Sequence, residues 1–284
     1  MRLLPGDPVA ILMGEGKVRI SLEQQEFIRA KWGLNQPWSV QYWKWLSNMF
    51  RGDFGESLVR PGVPVRNMIL QAAPVTAKLN VIAIGLSLLF AIPVGILAGV
   101  KRNSVFDYIT AVGATFGVSL PNFWVGLMFI VIFAAWLRVL PPFGLDSWQG
   151  YILPIAVLMN ENMATFSRVM RSGTIDVMSQ DYVRTARAKG LSERVVIVRH
   201  AVRNALLPVV TVIGFQIAYI LSGTIVVETV FAVPGVGRLF TDSVFRLDYQ
   251  VVQSIVFVMT VIVVVMNLLT DLVYAVVDPR IRIR

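Results

Sequence analysis

The sequence contains no cysteine and a single histidine, His200. Without thiols there is no disulfide framework, no thiolate nucleophile and no cysteine-ligated metal. One imidazole with no paired acids beside it makes neither a multi-histidine metal site nor a catalytic triad. Charge is scarce as well. Asp, Glu, Lys and Arg make up 15% of the residues, against about 25% in soluble domains. Hydrophobic residues reach 56% of 284 positions, which excludes an ordinary soluble domain and points to lipid as the solvent. A phosphate-binding loop is missing too. Gly14-Glu15-Gly16-Lys17-Val18 lacks both the glycine five residues before Gly16 and the Ser or Thr after Lys17. These absences predict a chain with no enzyme site, no metal and no cofactor, whose energy must come from a partner.

What is present is a series of five apolar runs. Residues 79–100 carry no charge over 22 positions, enough to cross about 30 Å of hydrocarbon as a helix. Residues 108–137 are charge-free and interrupted by Pro121-Asn122, which predicts one long, kinked span, since each half alone is too short. Residues 147–167 are apolar except for Glu161 and its neighbours Asn160 and Asn162, and residues 204–227 and 249–270 complete the set. The prediction is an all-α polytopic membrane protein with five transmembrane helices over residues 79–284. Gly95-x-x-x-Gly99 and Gly113-x-x-x-Gly117 have the spacing that lets helices approach closely, a spacing that also arises by chance in Gly-rich spans.

Residues 1–78 read as an extracytoplasmic segment leading into the membrane. Leu4-Pro5-Gly6-Asp7-Pro8 is a turn cluster, and the apolar run Val9 to Met13 is too short for a signal-peptide core. Residues 21–34 follow a helical pattern, and Trp38, Tyr42, Trp43, Trp45 and Phe50 are the aromatic types that gather at membrane–water interfaces or in a small soluble core. Gly52 to Ser57 reads as a loop and Val65 to Ala77 as a helix entering the membrane.

Short loops set the orientation. Lys101, Arg102, the loop 168–203 and the tail Arg280, Arg282 and Arg284 hold thirteen basic residues; the opposite short loops hold three, Arg138, Arg238 and Arg246. The first set is therefore predicted to be cytoplasmic. This placement also accounts for the net charge of +9 through anionic lipid rather than nucleic acid.

The longest basic stretch between two apolar runs is Asp181 to Pro208. Gly190 fits the end of one short helix and Ser192 the cap of the next. Glu193, Arg199, His200, Arg203 and Asn204 recur at spacings of one helical face, with Val195, Val196, Val198, Val202 and Leu206 filling the rest. The pattern alone describes either a surface helix-turn-helix or a basic loop that merely obeys the positive-inside rule.

Two acidic positions stand out in or beside the spans. Glu161 lies within an apolar run, where an ionisable group faces a cavity or a partner; it either lines a path or pairs with Arg168 two turns on. Glu228 closes the fourth run and is followed by Pro234-Gly235 and Gly237, a pattern of an ordinary outer turn or of backbone folded back as a gate.

Tyr182-Val183-Arg184-Thr185-Ala186-Arg187-Ala188-Lys189-Gly190-Leu191, with the later Leu207-Pro208, resembles the cytoplasmic loop of ABC-importer permease subunits of the dipeptide/oligopeptide/nickel branch. Arg184 stands where sugar importers carry an acid, and Gly190 lies farther from Pro208 than it does there; both departures are similar to that branch. Leu4 to Pro8, Pro141-Pro142-Phe143-Gly144, Glu228 to Gly237 and Asp278-Pro279-Arg280 extend the resemblance over nearly the whole chain. The resemblance implies a multi-pass subunit of a bacterial or archaeal inner membrane and a family first helix that precedes this sequence. It implies four kinds of partner: a homologous second permease subunit, two ABC ATPase subunits, an extracytoplasmic substrate-binding protein and membrane lipid. It also implies that Asp181, Tyr182, Arg184, Thr185, Ala186, Lys189 and Gly190 couple ATP use to transport, and that peptides are the cargo. Nickel chelates, glutathione or oligosaccharides are the alternatives within the family, and a secondary transporter without ATPases is the alternative outside it.

Overall fold

The computed structural model describes residues 35–218 and 220–277, together with Glu26. The helical pattern of residues 21–34, the turn Leu4 to Pro8 and the Asp278 tail lie outside the described residues. Among those described there is no strand, only an isolated bridge between Glu56 and Pro64.

Helix α1, Trp38–Phe50, carries the aromatic cluster; Trp38, Tyr42, Trp43 and Phe50 are exposed, while Trp45 and Phe50 stack edge-on against Phe257. The loop that follows is fastened to the start of the last helix. Asp248, 3% exposed, accepts from the Ser57 hydroxyl and, at 3.1 Å, from the Leu58 amide, and Gln250 donates to the Phe54 carbonyl at 2.8 Å.

Helix α2, Val65–Val100, joins the expected entry helix and the first apolar run into one element of 36 residues, about 54 Å long. Pro74 and Pro93 sit inside it without ending it. It stops at Lys101, Asn103 turns left-handed at φ 62°, and Ser104 caps α3 (Val105–Ser119) by accepting from the Asp107 amide at 3.2 Å.

The next run is not a kinked helix. Helix α3 and helix α4 (Asn122–Phe129, continuing as a π-turn to Trp136) meet at 100°. The cause is Pro121, whose ring forces Leu120 into extended geometry (φ −86°, ψ 125°) and then opens a new helix in a new direction.

Helix α5, Ile152–Met178, follows a short turn of 3-10 helix over Trp148–Tyr151 and runs eleven residues past the expected end at Ser167. It is the central element. Its start packs with Leu79, Val125, Val227 and Phe231, and its middle with Ala91, Ala205 and Val209. In lipid, close packing rather than water exclusion holds helices together. Here Gly95 and Gly99 bring α2 so near α5 that a Cβ at either would run into Met170 or Thr174, whereas Gly113 faces open space.

Helices α6 (Asp181–Ala188), α7 (Glu193–Ala205), α8 (Leu207–Ala218), α9 (Ile220–Val230), α10 (Val236–Phe245) and α11 (Tyr249–Val277) complete the chain. The expected continuous run 204–227 is broken: α7 and the Leu207–Ile217 part of α8 meet at 41°, beside Pro208. By length and composition α2 and the Tyr249–Thr270 part of α11 suffice to cross a membrane, and the two bent pairs bring the number to four.

Candidate functional site

The two ends of α5 each carry a helical hairpin. At its C-terminal end, Val183 and Ala186 of α6 are buried against Val196 of α7, with Val177 and Met178 of α5 beside them. Helix α6 ends at Gly190 in the left-handed region, φ +77°. The Gly190 amide donates to the Arg187 carbonyl at 2.9 Å and the Leu191 amide to that of Ala186 at 3.4 Å, the paired closure of a Schellman motif. Ser192 occupies the N-cap position of α7 with extended geometry, but its hydroxyl makes no cap hydrogen bond. Its carbonyl accepts from Val195 and Val196 instead, so the expected side-chain cap is absent.

Two contacts hold the hairpin shut, and a third pair lies within α6. Arg187 donates to both oxygens of Glu193, at 2.6 and 3.1 Å, across the Gly190 turn. These hydrogen bonds hold the Glu193 carboxyl below its ordinary range and Arg187 above its own. Asn204 donates to the Tyr182 hydroxyl at 2.8 Å. Arg184 leans on Asp181 at a loose 3.9 Å with both side chains exposed, a contact that water screens. Of the expected coupling residues, Ala186 is therefore part of the hairpin's core, Gly190 forms its turn, and Asp181, Arg184, Thr185 and Lys189 are exposed at the surface.

The expected polar residues of α7 are exposed at Glu193, Arg199, Arg203 and Asn204, with His200 half-buried, while the packed side departs from a regular period. A π-turn over Val196–Ala201 places Val196, Ala201, Ala205 and Val209 inward, a first step of five residues followed by steps of four. Val198 is consequently exposed rather than packed.

At the other end of α5, α9 and α10 form the second hairpin. Glu228 is 0% exposed, and its carboxylate accepts from the Thr76 hydroxyl at 2.6 Å and the Arg238 amide at 3.1 Å. Thr76 in turn accepts from the Val236 amide at 2.9 Å, so α2 and α9 together satisfy the free amides at the start of α10. Ala232 turns left-handed at φ 53°, and Arg238 donates to its carbonyl. Gly235 sits so close beneath Glu228 that any Cβ would collide with the carboxylate, while Pro234 is exposed. Thr76, 152 positions away in sequence, has no signal that would have paired it with Glu228.

Glu161 is not part of this cluster. It accepts from Asn122 at 2.7 Å, at the sharp break between α3 and α4. Its expected partner Arg168 donates instead to the Ala114 carbonyl at 3.2 Å. The ion pair in this region joins half-buried Arg171 to Asp107, which is 2% exposed, with a second bond at 2.8 Å. A cavity of about 200 Å³ lies beside these arginines between α2, α3 and α5, lined also by Thr110 and Thr115.

No group of three or more His, Cys, Asp or Glu residues able to hold a metal occurs among the described residues. The chain's fold matches a solved structure of the MetNI methionine ABC transporter in inward-facing conformations, with a TM-score of 0.62 at 14% identity over 74% of this chain and 96% of that one. An amino acid ABC transporter matches with a TM-score of 0.56, also at 14% identity, over 72% and 92% of the two chains. In sequence, the chain is 42% identical to the oligopeptide transport system permease protein AppB of Bacillus subtilis (strain 168), over 99% of this chain and 91% of the relative. It is 40% identical to the glutathione transport system permease protein GsiC of Escherichia coli (strain K12), with the same coverage. The model of the binding-protein-dependent transport system inner membrane component family matches residues 91–283. The chain belongs to that family.

Proposed function

We propose that this protein is the permease subunit of an ATP-driven importer that carries peptides delivered by an extracytoplasmic binding protein. The observation that carries this reading is the identity of 40–42% to peptide-type permeases over 99% of the chain. The site geometry supports it: a surface hairpin with a rigid glycine turn at one end of the central helix is a handle that a partner can push. The chain crosses the membrane five times, through α2, the α3–α4 pair, α5, the α8–α9 stretch and α11, with the α6–α7 hairpin in the cytoplasm and the N-terminal segment outside. The α6–α7 hairpin docks on one of two ATPase subunits, a homologous permease completes the path, and all the ATP chemistry belongs to the ATPases. Nucleotide then biases a rigid-body switch between two packed arrangements of the spans.

The test is reconstitution. Liposomes holding this chain, its companion permease and two ATPases should take up labelled peptide only when ATP and loaded binding protein are both supplied. Uptake that proceeds without ATP, driven by an ion gradient alone, would identify a secondary transporter instead.

A further inference from the structure

Every flank of α5 is covered except one. Leu153, Val157, Phe166, Met170 and Thr174 are buried among α2, α8 and α9. Ala164 and Asn160 meet Gly117 of α3 on one side of the uncovered face, and Asn162 accepts from Gln216 of α8 at 2.8 Å on the other. Between these flanks lie Glu161, Thr165, Arg168, Ser172 and Asp176, all exposed but Thr165, which is half-buried. At about 100° per residue these five fall within an arc of about 80°, and all are polar. This is the reverse of the other open faces. Helix α2 exposes Leu86, Leu89, Phe90 and Leu97, and α11 exposes Val261, Val264, Val265 and Leu268. A polar stripe at the depth of Gly95 and Gly117 is untenable against hydrocarbon and calls for water or a polar partner.

The stripe is also sorted by charge. Glu161 is held only by the Asn122 amide and Arg168 only by the Ala114 carbonyl among the described residues, so neither charge is neutralised by an opposite one. Seven residues apart, they stand about 10 Å from each other along the helix. An extended peptide of about three residues spans the same distance between its ends. We propose that the open face of α5 is the wetted wall of the cargo path, and that Glu161 and Arg168 receive the ammonium and carboxylate ends of short zwitterionic peptides. In this arrangement the peptide's ends replace the neutral partners, Asn122 and the Ala114 carbonyl, that each charge has here.

This inference rests on the importer reading above, and its test is separable from it. The sequence has no cysteine, so single cysteines are clean probes. Thr165→Cys and Ser172→Cys, with Val264→Cys and Leu89→Cys as lipid-facing controls, are placed in the assembled transporter and reacted with a permanently charged methanethiosulfonate reagent. Thiolate forms in water and not in hydrocarbon, so the stripe cysteines should react at least tenfold faster than the controls. Equal, slow reaction at all four, in a transporter that still imports peptide, overturns the wetted stripe and leaves the importer reading standing; a lipid face and a face sealed by the companion permease both give that result. Failure of the parent to import peptide with ATP would instead overturn the importer reading. The charge assignment is read from Arg168→Gln. The ratio of uptake of a tripeptide to uptake of its C-terminally amidated form should fall about tenfold relative to the parent, with the binding protein common to both. An unchanged ratio removes Arg168 from carboxylate recognition.

Discussion

The α6–α7 and α9–α10 hairpins both turn on a glycine, and for opposite reasons. Gly190 has φ +77° and nothing within 4 Å of where a Cβ would stand. It is glycine for its torsion angle. Gly235 has φ −100°, open to any residue, but lies directly under the Glu228 carboxylate. It is glycine for space. The fastenings differ in the same sense. The α9–α10 turn is locked by a buried carboxylate shared among three elements, and the α6–α7 turn is clasped by a water-exposed ion pair and one phenol hydrogen bond. One hairpin is fastened by buried polar groups of three elements and the other by exposed ones across its own turn, with its buried side seated on the end of α5.

The largest effect should come from Gly235→Ala. The added methyl has no route but into Glu228, and overpacking of this kind costs about 3 kcal/mol. Thermal unfolding in detergent should show a marked loss of stability, whereas Gly190→Ala, strained in torsion but free of any clash, should lose much less. Equal losses at the two glycines would erase the distinction between them. Next is Thr76→Val, which removes the hydroxyl that bonds both Glu228 and the Val236 amide. Leaving buried polar groups unpaired costs about 1–3 kcal/mol, and Glu228→Gln, whose one amide oxygen can accept from only one of the two donors, should also destabilise. At the small end, Ser192→Ala should change stability by less than about 0.5 kcal/mol, because the hydroxyl caps nothing. A loss near 1 kcal/mol, the usual value of a side-chain cap, would show that the hydroxyl engages α7 after all. Sidedness sharpens the comparison further. Cysteines at Ser192 and Asp242, one on each hairpin, should react with an impermeant thiol reagent from opposite sides of the membrane.

How much of this was legible in the sequence depends on the range of the interaction. The Gly190 turn is local: a Gly after an amphipathic turn predicts a left-handed stop, and it is found there. Helix α2 was legible from its apolar run and the entry helix before it. The 100° turn at Pro121 was half legible, since the proline marks a break but its sequence carries no angle. On α7 the polar residues Glu193, Arg199, Arg203 and Asn204 lie exposed as their spacing predicts, but which valines pack was not legible, because the π-turn over Val196–Ala201 inserts one residue into the period. Long-range pairings had no local signal. Thr76 with Glu228, Asp107 with Arg171 and Ser57 with Asp248 each join residues at least 64 positions apart. Glu161 was visible as an anomaly, but the stripe it heads emerges only once the rest of α5 is covered.

The central claim is that the Gly190 hairpin transmits nucleotide state to the spans, and Gly190→Val tests it most directly, with Gly190→Asn as its companion. Asn tolerates a positive φ and valine does not, and a Cβ at this position has nothing within 4 Å, so the turn geometry is the main difference between the two. In reconstituted transporter at equal membrane abundance, Gly190→Asn should keep most of its ATP-driven uptake. Gly190→Val should lose at least nine-tenths of it, roughly 1.4 kcal/mol in coupling, and its ATPase activity should no longer rise with loaded binding protein. Uptake by Gly190→Val at the parent's rate would contradict the account and leave the hairpin a basic tether.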